Sequence, residues 1–213
     1  MPPLLTKICG LTNPGDALHA AVCGADFLGF ITVPTSKRRA SLAAIRESLQ
    51  QVRRATPNVL GVLVTADFPL QEVLDQAKAT GADVIQLHGS EPAGVATELR
   101  IAGYLTIKAV PIGSGAPDHD WLNYPCDYRL LDTFHSGISG GTGRLLDHSL
   151  LPTAAMRGSA PLLLAGGLTP DNLLESIRRV LPHGVDVSSG VETLPGIKDP
   201  EKVRRFLQLA RRA

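Results

Sequence analysis

Eight short runs of apolar and β-branched residues alternate with longer segments of helical period, and this rhythm constrains the fold more than any other feature. The predicted strands span 5–9, 27–32, 59–65, 84–88, 106–111, 128–133, 162–165 and 185–189. The predicted helices span 14–23, 42–55, 69–80, 92–102, 119–124 (a weak one), 148–156, 171–181 and 199–212. Such alternation requires parallel strands that are joined by crossover helices.

The number of repeats favours a closed barrel over an open sheet. Eight units of roughly 27 residues account for the whole chain, so residues 1–213 are predicted to form one α/β domain, a (β/α)8 TIM barrel. The alternative is a doubly wound open sheet. That fold would place its glycine-rich phosphate turn near the first strand, whereas the glycine clusters of this chain come late.

Composition excludes several classes of protein. Lys plus Arg number 21 and Asp plus Glu number 20, a formal net charge of +1, so no basic excess points to nucleic acid. No apolar run approaches the roughly 18 residues of a membrane span, and the N-terminus lacks the order of a secretory signal. The three cysteines are far apart and form no disulfide framework or metal motif, which favours a reducing, cytoplasmic setting.

Helix boundaries carry recognisable signals. Asn13 and Thr169 each precede a proline where a helix should open, and Asp199 places Pro200 at a first helical position. Glycines mark predicted helix ends at Gly24, Gly81 and Gly103.

Polar residues cluster toward the C-terminal ends of several predicted strands, the region where a barrel of this kind carries its chemistry. With a period of two, the pairs that should share a face and point into the barrel are Lys7 with Cys9, Gln86 with His88, and Asp186 with Ser188. Lys108 and Asp132 are predicted to join them. The alternative is a hydrogen-bonded polar plug, which is less favourable for the whole set because unpaired buried charges are costly.

Glycine clusters follow the last three strands. They contain Gly140, Gly141 and Gly143 after strand six, Gly166 and Gly167 after strand seven, and Ser189 with Gly190 after strand eight. Each cluster alone is a weak signal, since Gly-Gly also makes ordinary turns. Three clusters at successive strand ends predict a phosphate site, because glycine lets backbone amides approach an anion closely. A small phosphorylated molecule is the expected ligand.

Motifs along nearly the whole chain resemble those of the phosphoribosylanthranilate isomerases of tryptophan biosynthesis. They are Lys7-Ile8-Cys9-Gly10-Leu11-Thr12, Gly24-Ala25-Asp26, Ser36-Lys37-Arg38, Gln86-Leu87-His88-Gly89, Leu130-Leu131-Asp132-Thr133, Leu164-Ala165-Gly166-Gly167-Leu168, Gly184-Val185-Asp186-Val187-Ser188-Ser189-Gly190-Val191-Glu192 and Pro195-Gly196-Ile197-Lys198-Asp199. The chain departs from the family pattern at Lys37, at Leu63-Val64-Thr65 and at Leu146-Asp147-His148.

The resemblance implies an Amadori rearrangement of N-(5-phosphoribosyl)anthranilate without cofactor or metal, in a monomer or homodimer. By resemblance, Cys9 is the general base, Asp132 is the general acid, and Arg38 binds the anthranilate carboxylate. The other expected substrate-binding residues are Lys7, Gln86, His88, Gly141, Gly166, Gly167, Asp186, Ser189 and Gly190.

The reaction independently asks for these residue types. Ring opening needs a proton on the ring oxygen, so Asp132 must carry a proton when it acts. Removal of the C2 proton needs a base that works near neutrality, and we expect the Lys7 ammonium to lower the pKa of the Cys9 thiol. Arg38 offers a planar fork that suits a carboxylate.

Other interpretations remain open at this stage. Taken singly, Cys9 reads as a small buried hydrophobe, Asp132 as a loop cap, and Arg38 as part of a solvated basic turn. A barrel that closes the indole ring would need lysine and glutamate as acid and base, and no glutamate ends strands one, two or six. A catalytically silent phosphosugar-binding barrel is the second alternative.

Overall fold

Eight parallel strands close into a barrel in chain order, which confirms the predicted fold class. The structure is a computed structural model that describes residues 3–112, 122–133 and 160–213. The barrel strands are β1 (Leu5–Ile8), β2 (Phe27–Ile31), β3 (Leu60–Thr65), β4 (Val84–Leu87), β5 (Leu105–Ile112), β6 (Tyr128–Thr133), β7 (Leu162–Leu164) and β8 (Gly184–Val187). Each predicted strand is present, with bounds shifted by at most two residues at either end.

Six helices lie within the described residues: α1 (Pro14–Val22), α2 (Leu42–Ala55), α3 (Leu70–Thr80), α4 (Ala93–Ile101), α5 (Leu173–Val180) and α6 (Pro200–Ala210). The predicted caps at Asn13 and Asp199 are confirmed, because each side chain accepts from backbone amides of the first turn. α5 begins later than predicted, since Thr169 enters a turn closed by its amide donating to the Asn172 side chain. The predicted helix at 148–156 lies outside the described residues, and 122–124 are not helical.

Glycine residues end three of these helices as predicted. Gly81 caps α3 with a φ of 74°, and Gly24 and Gly103 follow the caps of α1 and α4 with φ of 96° and 93°. These left-handed conformations cost little for glycine, so the chain can turn sharply back toward the next strand.

Alternating side chains divide the core into two layers. Cys9, Phe27, Val64, Ile107 and Leu130 belong to the cluster inside the barrel. Their sequence neighbours, such as Ile8 and Leu131, belong to a larger cluster between the barrel and the helices. The period-two alternation therefore sends the residues of one strand to two different environments.

A small hairpin interrupts the connection between β8 and α6, and the sequence patterns did not predict it. A single 3-10 turn at Ser189–Val191 leads into β9 (Glu192–Leu194), which pairs with β10 (Ile197–Lys198). The hairpin matters for the site, because both of its strands contribute a buried charged residue.

The N-terminal end of the barrel is held by a repeated side-chain clamp. The residue before each even strand accepts a hydrogen bond from the backbone amide at the start of the preceding odd strand. The acceptor–donor pairs are Asp26 with Thr6, Asp83 with Gly61, Asp127 with Thr106, and His183 with Leu162. Asp26 and Asp127 also accept from the threonine hydroxyls of their partners. Polar groups at this end thus stabilise the fold, and the opposite end is left for chemistry.

Among the described residues, every helix falls short of the length and apolar content that a membrane span requires.

Candidate active site

Cys9 lies inside the barrel just past the end of β1, above a buried ion pair. Lys7 pairs in register with Asp186 of β8, and its Nζ lies 3.0 Å from Asp186 Oδ1. Lys7 has no solvent exposure and Cys9 retains 6%. Gly29 of β2 makes room for both, since a Cβ there would lie 2.8 Å from Cys9 Sγ and 3.1 Å from Lys7 Nζ.

Burial dominates the ionisation of the thiol. It raises the pKa of Cys9 above the ordinary value, and the nearby Lys7 ammonium offsets this only in part. Burial also disfavours the Lys7 ammonium, but attraction to Asp186 and Cys9 outweighs it and raises the pKa of Lys7. Lys7 therefore stays cationic. The expectation that Lys7 lowers the pKa of Cys9 below its usual range is wrong, because burial raises the pKa of the thiol by more than the lysine lowers it, and the nearby Asp186 carboxylate raises it further.

Arg38 lies in a second cluster next to Cys9, formed with the hairpin. Its Nε and Nη2 atoms donate to the carboxylate of Glu192 at 2.8 to 3.0 Å. Lys198 Nζ donates to the same carboxylate at 2.8 Å and to the Ser188 carbonyl at 3.1 Å. Gly10 allows this approach, since its φ is 72° and a Cβ would lie 2.7 Å from Arg38 Cδ.

The Arg38 cluster retains binding capacity for an anion. A guanidinium has five N–H donors, and the contacts to Glu192 use the Nε–Nη2 edge, which leaves the Nη1–Nη2 edge for a second carboxylate. With two cations and one anion, the group of Arg38, Lys198 and Glu192 carries one net positive charge. Burial opposes the ionisation of Glu192, but hydrogen bonds from Arg38 and Lys198 lower its pKa, so the carboxylate stays charged.

Asp132 and His88 meet across the mouth of the barrel at the ends of β6 and β4. His88 Nε2 lies 3.4 Å from Asp132 Oδ2, and both side chains are about one-third exposed, at 39% and 34%. Gln86 lies deeper in the barrel, where its Nε2 is 2.8 Å from His88 Nδ1. The partly exposed carboxyl group of Asp132 therefore contacts the His88 imidazole, which in turn contacts the buried Gln86 amide.

The loops after β7 and β8 touch through their backbones. A Cβ on Gly190 would lie 1.8 Å from the Leu168 carbonyl oxygen, so only glycine fits there. Gly166 and Gly167 adopt φ of 85° and 65°, and their amides donate to no acceptor among the described residues. Backbone amides in such a concave setting suit an anion. The predicted phosphate residues Gly166, Gly167, Ser189 and Gly190 are therefore brought together, whereas Gly141 lies outside the described residues.

Comparison with known proteins identifies the family in which this fold and this site occur. The sequence profile of the family described as N-(5'-phosphoribosyl)anthranilate (PRA) isomerase matches residues 6–209. The chain belongs to the phosphoribosylanthranilate isomerase family. It is 40% identical over 206 residues to the N-(5'-phosphoribosyl)anthranilate isomerase of Syntrophus aciditrophicus, a match that covers 97% of this chain and 86% of that protein.

Solved structures of phosphoribosylanthranilate isomerases have the same fold. The enzyme of Thermotoga maritima superposes with a TM-score of 0.85 at 35% identity, covering 99% of this chain and all of the other. A second phosphoribosylanthranilate isomerase, in complex with reduced 1-(o-carboxyphenylamino)-1-deoxyribulose 5-phosphate, superposes with a TM-score of 0.83 at 35% identity and the same coverage.

Two residues that were expected to bind substrate in this phosphoribosylanthranilate isomerase fold are buried inside the barrel. Lys7 has no exposed surface and Gln86 has 1%. Each contacts another predicted site residue instead: Lys7 contacts Asp186, and Gln86 contacts His88. Direct contact of either residue with a ligand stays a prediction.

Lys108 does not point into the barrel as predicted. Its strand neighbours Ile107 and Ala109 occupy the interior, and Lys108 faces the helix side. There its Nζ donates to Glu91 Oε2 at 2.7 Å and to the Gly89 carbonyl oxygen, and it lies over the Tyr124 ring. The ion pair of Lys108 with Glu91 holds the loop that begins just after His88 in place.

Sequence reasoning gave no role to Glu192 and Lys198. Both appear within the family-like motifs near the end of the chain, yet neither lies directly at the C-terminal end of a barrel strand. The signal that could have found them is charge pairing: Arg38 had no acidic residue nearby in the sequence, and its partner lies 154 residues away.

Proposed function

We propose that this chain isomerises N-(5-phosphoribosyl)anthranilate to 1-(2-carboxyphenylamino)-1-deoxyribulose 5-phosphate by general acid–base catalysis, with Asp132 as the acid and Cys9 as the base. The proposal is supported by family membership and by the position of both side chains at the same open end of the barrel.

The first step opens the furanose ring. A protonated Asp132 gives its proton to the ring oxygen as the C1–O bond breaks, and the nitrogen lone pair forms the C1=N bond of a protonated Schiff base. The one-third exposure of Asp132 allows the carboxyl group to reach a bound sugar.

The second step removes the proton from C2. The Cys9 thiolate takes this proton, the C2–H electrons form a C1=C2 bond, and the iminium nitrogen accepts the displaced pair. The product is an enolamine, which becomes the ketone when its O2 proton leaves and C1 gains a proton. The substrate iminium is the electron sink for this step. The Lys7 ammonium beside the thiol favours the thiolate when the base is needed.

Substrate orientation comes from the two ends of the molecule. The Nη1–Nη2 edge of Arg38, whose Nη1 meets no acceptor among the described residues, suits the anthranilate carboxylate. The glycine amides after β7 and β8 suit the 5'-phosphate. Both sites adjoin Cys9, because the Cβ position of Gly10, the next residue in the chain, lies next to Arg38 and Ser188. A ribose held at both ends would lie over the thiol.

The observation that carries the proposal is that Arg38 and Ser188 lie against Gly10, the residue after Cys9, and that Asp132 is one-third exposed at the same mouth. An isomerisation assay on freshly prepared phosphoribosylanthranilate tests it. We expect turnover by the native chain, and a loss of at least roughly 10²-fold in Cys9→Ser and in Asp132→Asn.

Cys126→Ser is the matched control, because Cys126 lies before β6 at the other end of the barrel. It should leave the rate unchanged. A native chain that binds the substrate but does not convert it would support a silent binding barrel instead. Near-normal rates in both catalytic variants would contradict the assigned roles.

A further inference from the structure

Gln86 is buried inside the barrel, yet one of its two polar atoms reaches a residue at the mouth. Its side-chain Nε2 lies 2.8 Å from Nδ1 of His88, and the residue is 1% exposed. Its Oε1 has no hydrogen-bond partner among the described residues. This buried amide uses one of its N–H donors on an imidazole nitrogen, while its oxygen meets no donor among the described residues. Such an arrangement calls for a functional reason.

The identity of the contacting atoms sets the state of the ring. With the Gln86 amide nitrogen facing the ring, Nδ1 of His88 accepts and carries no proton, whereas a flipped amide would present its oxygen to a protonated Nδ1. The single ring proton is then on Nε2, which faces Asp132 Oδ2 at 3.4 Å. His88 is thereby a neutral donor toward one oxygen of Asp132, and the other oxygen, Oδ1, is left for the substrate.

Hydrogen bonds to β3 and to the Glu91 loop fix the backbone of His88, so the position from which its side chain extends is also fixed. Its amide donates to the Thr65 carbonyl oxygen at 2.8 Å in the ladder with β3. The next residue, Gly89, donates its amide to the Glu91 carboxylate at 3.1 Å, and Lys108 donates to the Gly89 carbonyl. Only the ring rotation remains to be set, and the contact with Gln86 sets it.

The charged groups around His88 and Asp132 are paired with other residues. Asp186, the remaining carboxylate within electrostatic reach of both His88 and Asp132 on the barrel floor, is neutralised by Lys7. On the outer face, Glu91 is neutralised by Lys108. Among the described residues, no uncompensated charge from the floor or the outer face therefore competes with the contact between His88 and Asp132.

We infer that Gln86 is a positioning residue that, through the Nε2–H tautomer of His88, orients the carboxyl group of Asp132 for proton delivery. This inference rests on the proposed function, since it assigns Asp132 the role of acid. Because Gln86 is buried and acts through His88, its loss should lower kcat and leave KM nearly unchanged.

The first experiment reads the tautomer directly. In uniformly ¹⁵N-labelled native protein, a proton–nitrogen spectrum of the histidine side chains should show His88 with a protonated Nε2 and a bare Nδ1. His88→Asn identifies the signal. A ring protonated at Nδ1 in the native chain would overturn the inference, whatever the activity.

The second experiment uses Gln86→Met, which keeps the side-chain volume but has no amide. We expect kcat to fall about tenfold or more with KM within about twofold, and the His88 signal to become a mixture of tautomers. Ile107→Val, in the interior layer of the neighbouring strand, is the control and should change neither. Unchanged kcat in a folded Gln86→Met would overturn the inference.

Gln86→Glu separates positioning from packing. A carboxylate in place of the amide accepts from Nδ1, reversing the ring proton, so we expect a loss of kcat even though volume is preserved. Equal rates for Gln86→Glu and the native chain would also overturn the inference. If the native chain has no isomerase activity, the proposed function fails, while the spectrum still decides the tautomer.

Discussion

Arg38 presents the Nε–Nη2 edge of its guanidinium to Glu192, and Nη2 lies 2.8 Å from Oε2. The contact holds a long, mobile side chain in one orientation while its outer edge stays available. Fixing the arginine before the ligand arrives reduces the ordering cost of binding.

Replacement of Arg38 should act on substrate affinity. A charge-assisted hydrogen bond contributes about 1.5–3 kcal/mol, so Arg38→Ala should raise KM at least about tenfold with a smaller effect on kcat. Arg38→Lys should recover little, because an ammonium has no planar fork. Steady-state kinetics measure both effects. Arg39→Ala, an exposed neighbour, is the control. An unchanged KM in Arg38→Ala would show that the carboxylate binds elsewhere.

Glu192→Gln should destabilise the chain as well as loosen Arg38. The Lys198 side chain is 1% exposed, and loss of the carboxylate would leave its ammonium buried without a counter-charge. Breaking a buried pair typically costs about 3–5 kcal/mol, which should be measurable as a lower free energy of unfolding in urea. KM should rise in the same variant.

The control for Glu192 is Asp171→Asn, which removes an exposed pair with Arg205 whose side chains are 78% and 60% exposed. We expect a change within about 0.5 kcal/mol there. Similar unfolding energies for the two variants would contradict a stabilising role for the buried cluster.

Gly29→Ala should damage catalysis through sterics. The new methyl group would lie 2.8 Å from Cys9 Sγ and 3.1 Å from the Cys9 Cα, so the thiol must move. Since small displacements of a reacting group are costly, we expect kcat to fall about tenfold or more. Gly94→Ala, in helix α4 with open space around it, should keep full activity and equal or greater stability. Equal rates in the two variants would show that the thiol position is not critical.

The pH dependence of kcat/KM should report the buried thiol. Burial raises the pKa of Cys9, so below that pKa the group is a neutral thiol, and the thiolate fraction increases as pH rises. We expect the rate limb to extend above pH 8.5, about the ordinary value for cysteine. Stopped-flow rates from pH 6 to 10 measure it, with residual activity of Cys9→Ser as the comparison. A limb that is complete below about pH 8 would contradict this ionisation.

The fold was predictable because its signals are local. Each strand and helix carries its own periodicity, and residues such as Asn13 and Gly81 mark helix ends within a few positions. Inward-facing residues were also predictable where the period of two puts charged and reactive side chains on one face, as for Lys7 in β1 and Cys9 just after it.

The orientation of Lys108 was not predictable, because both faces of β5 carry apolar side chains and the polar residue was assigned to the wrong one. On the outer side it pairs with Glu91, in the loop after β4. The same holds for Arg38 and Glu192, which lie 154 positions apart. Pairings between distant loops depend on the closed barrel, and no pattern in a single segment carries them.

The clamp at the N-terminal end joins strands two by two, from β1 with β2 to β7 with β8. None of its four hydrogen bonds crosses from one pair to the next. The barrel therefore consists of four strand pairs, and each pair keeps its own clamp hydrogen bond when the order of the pairs along the chain is changed. A circular permutant opened at the exposed Pro57–Asn58, between the β1–β2 pair and the β3–β4 pair, would keep both partners of every clamp hydrogen bond in one continuous stretch of chain. An opening between β3 and β4 would instead separate Asp83 from Gly61 along the chain.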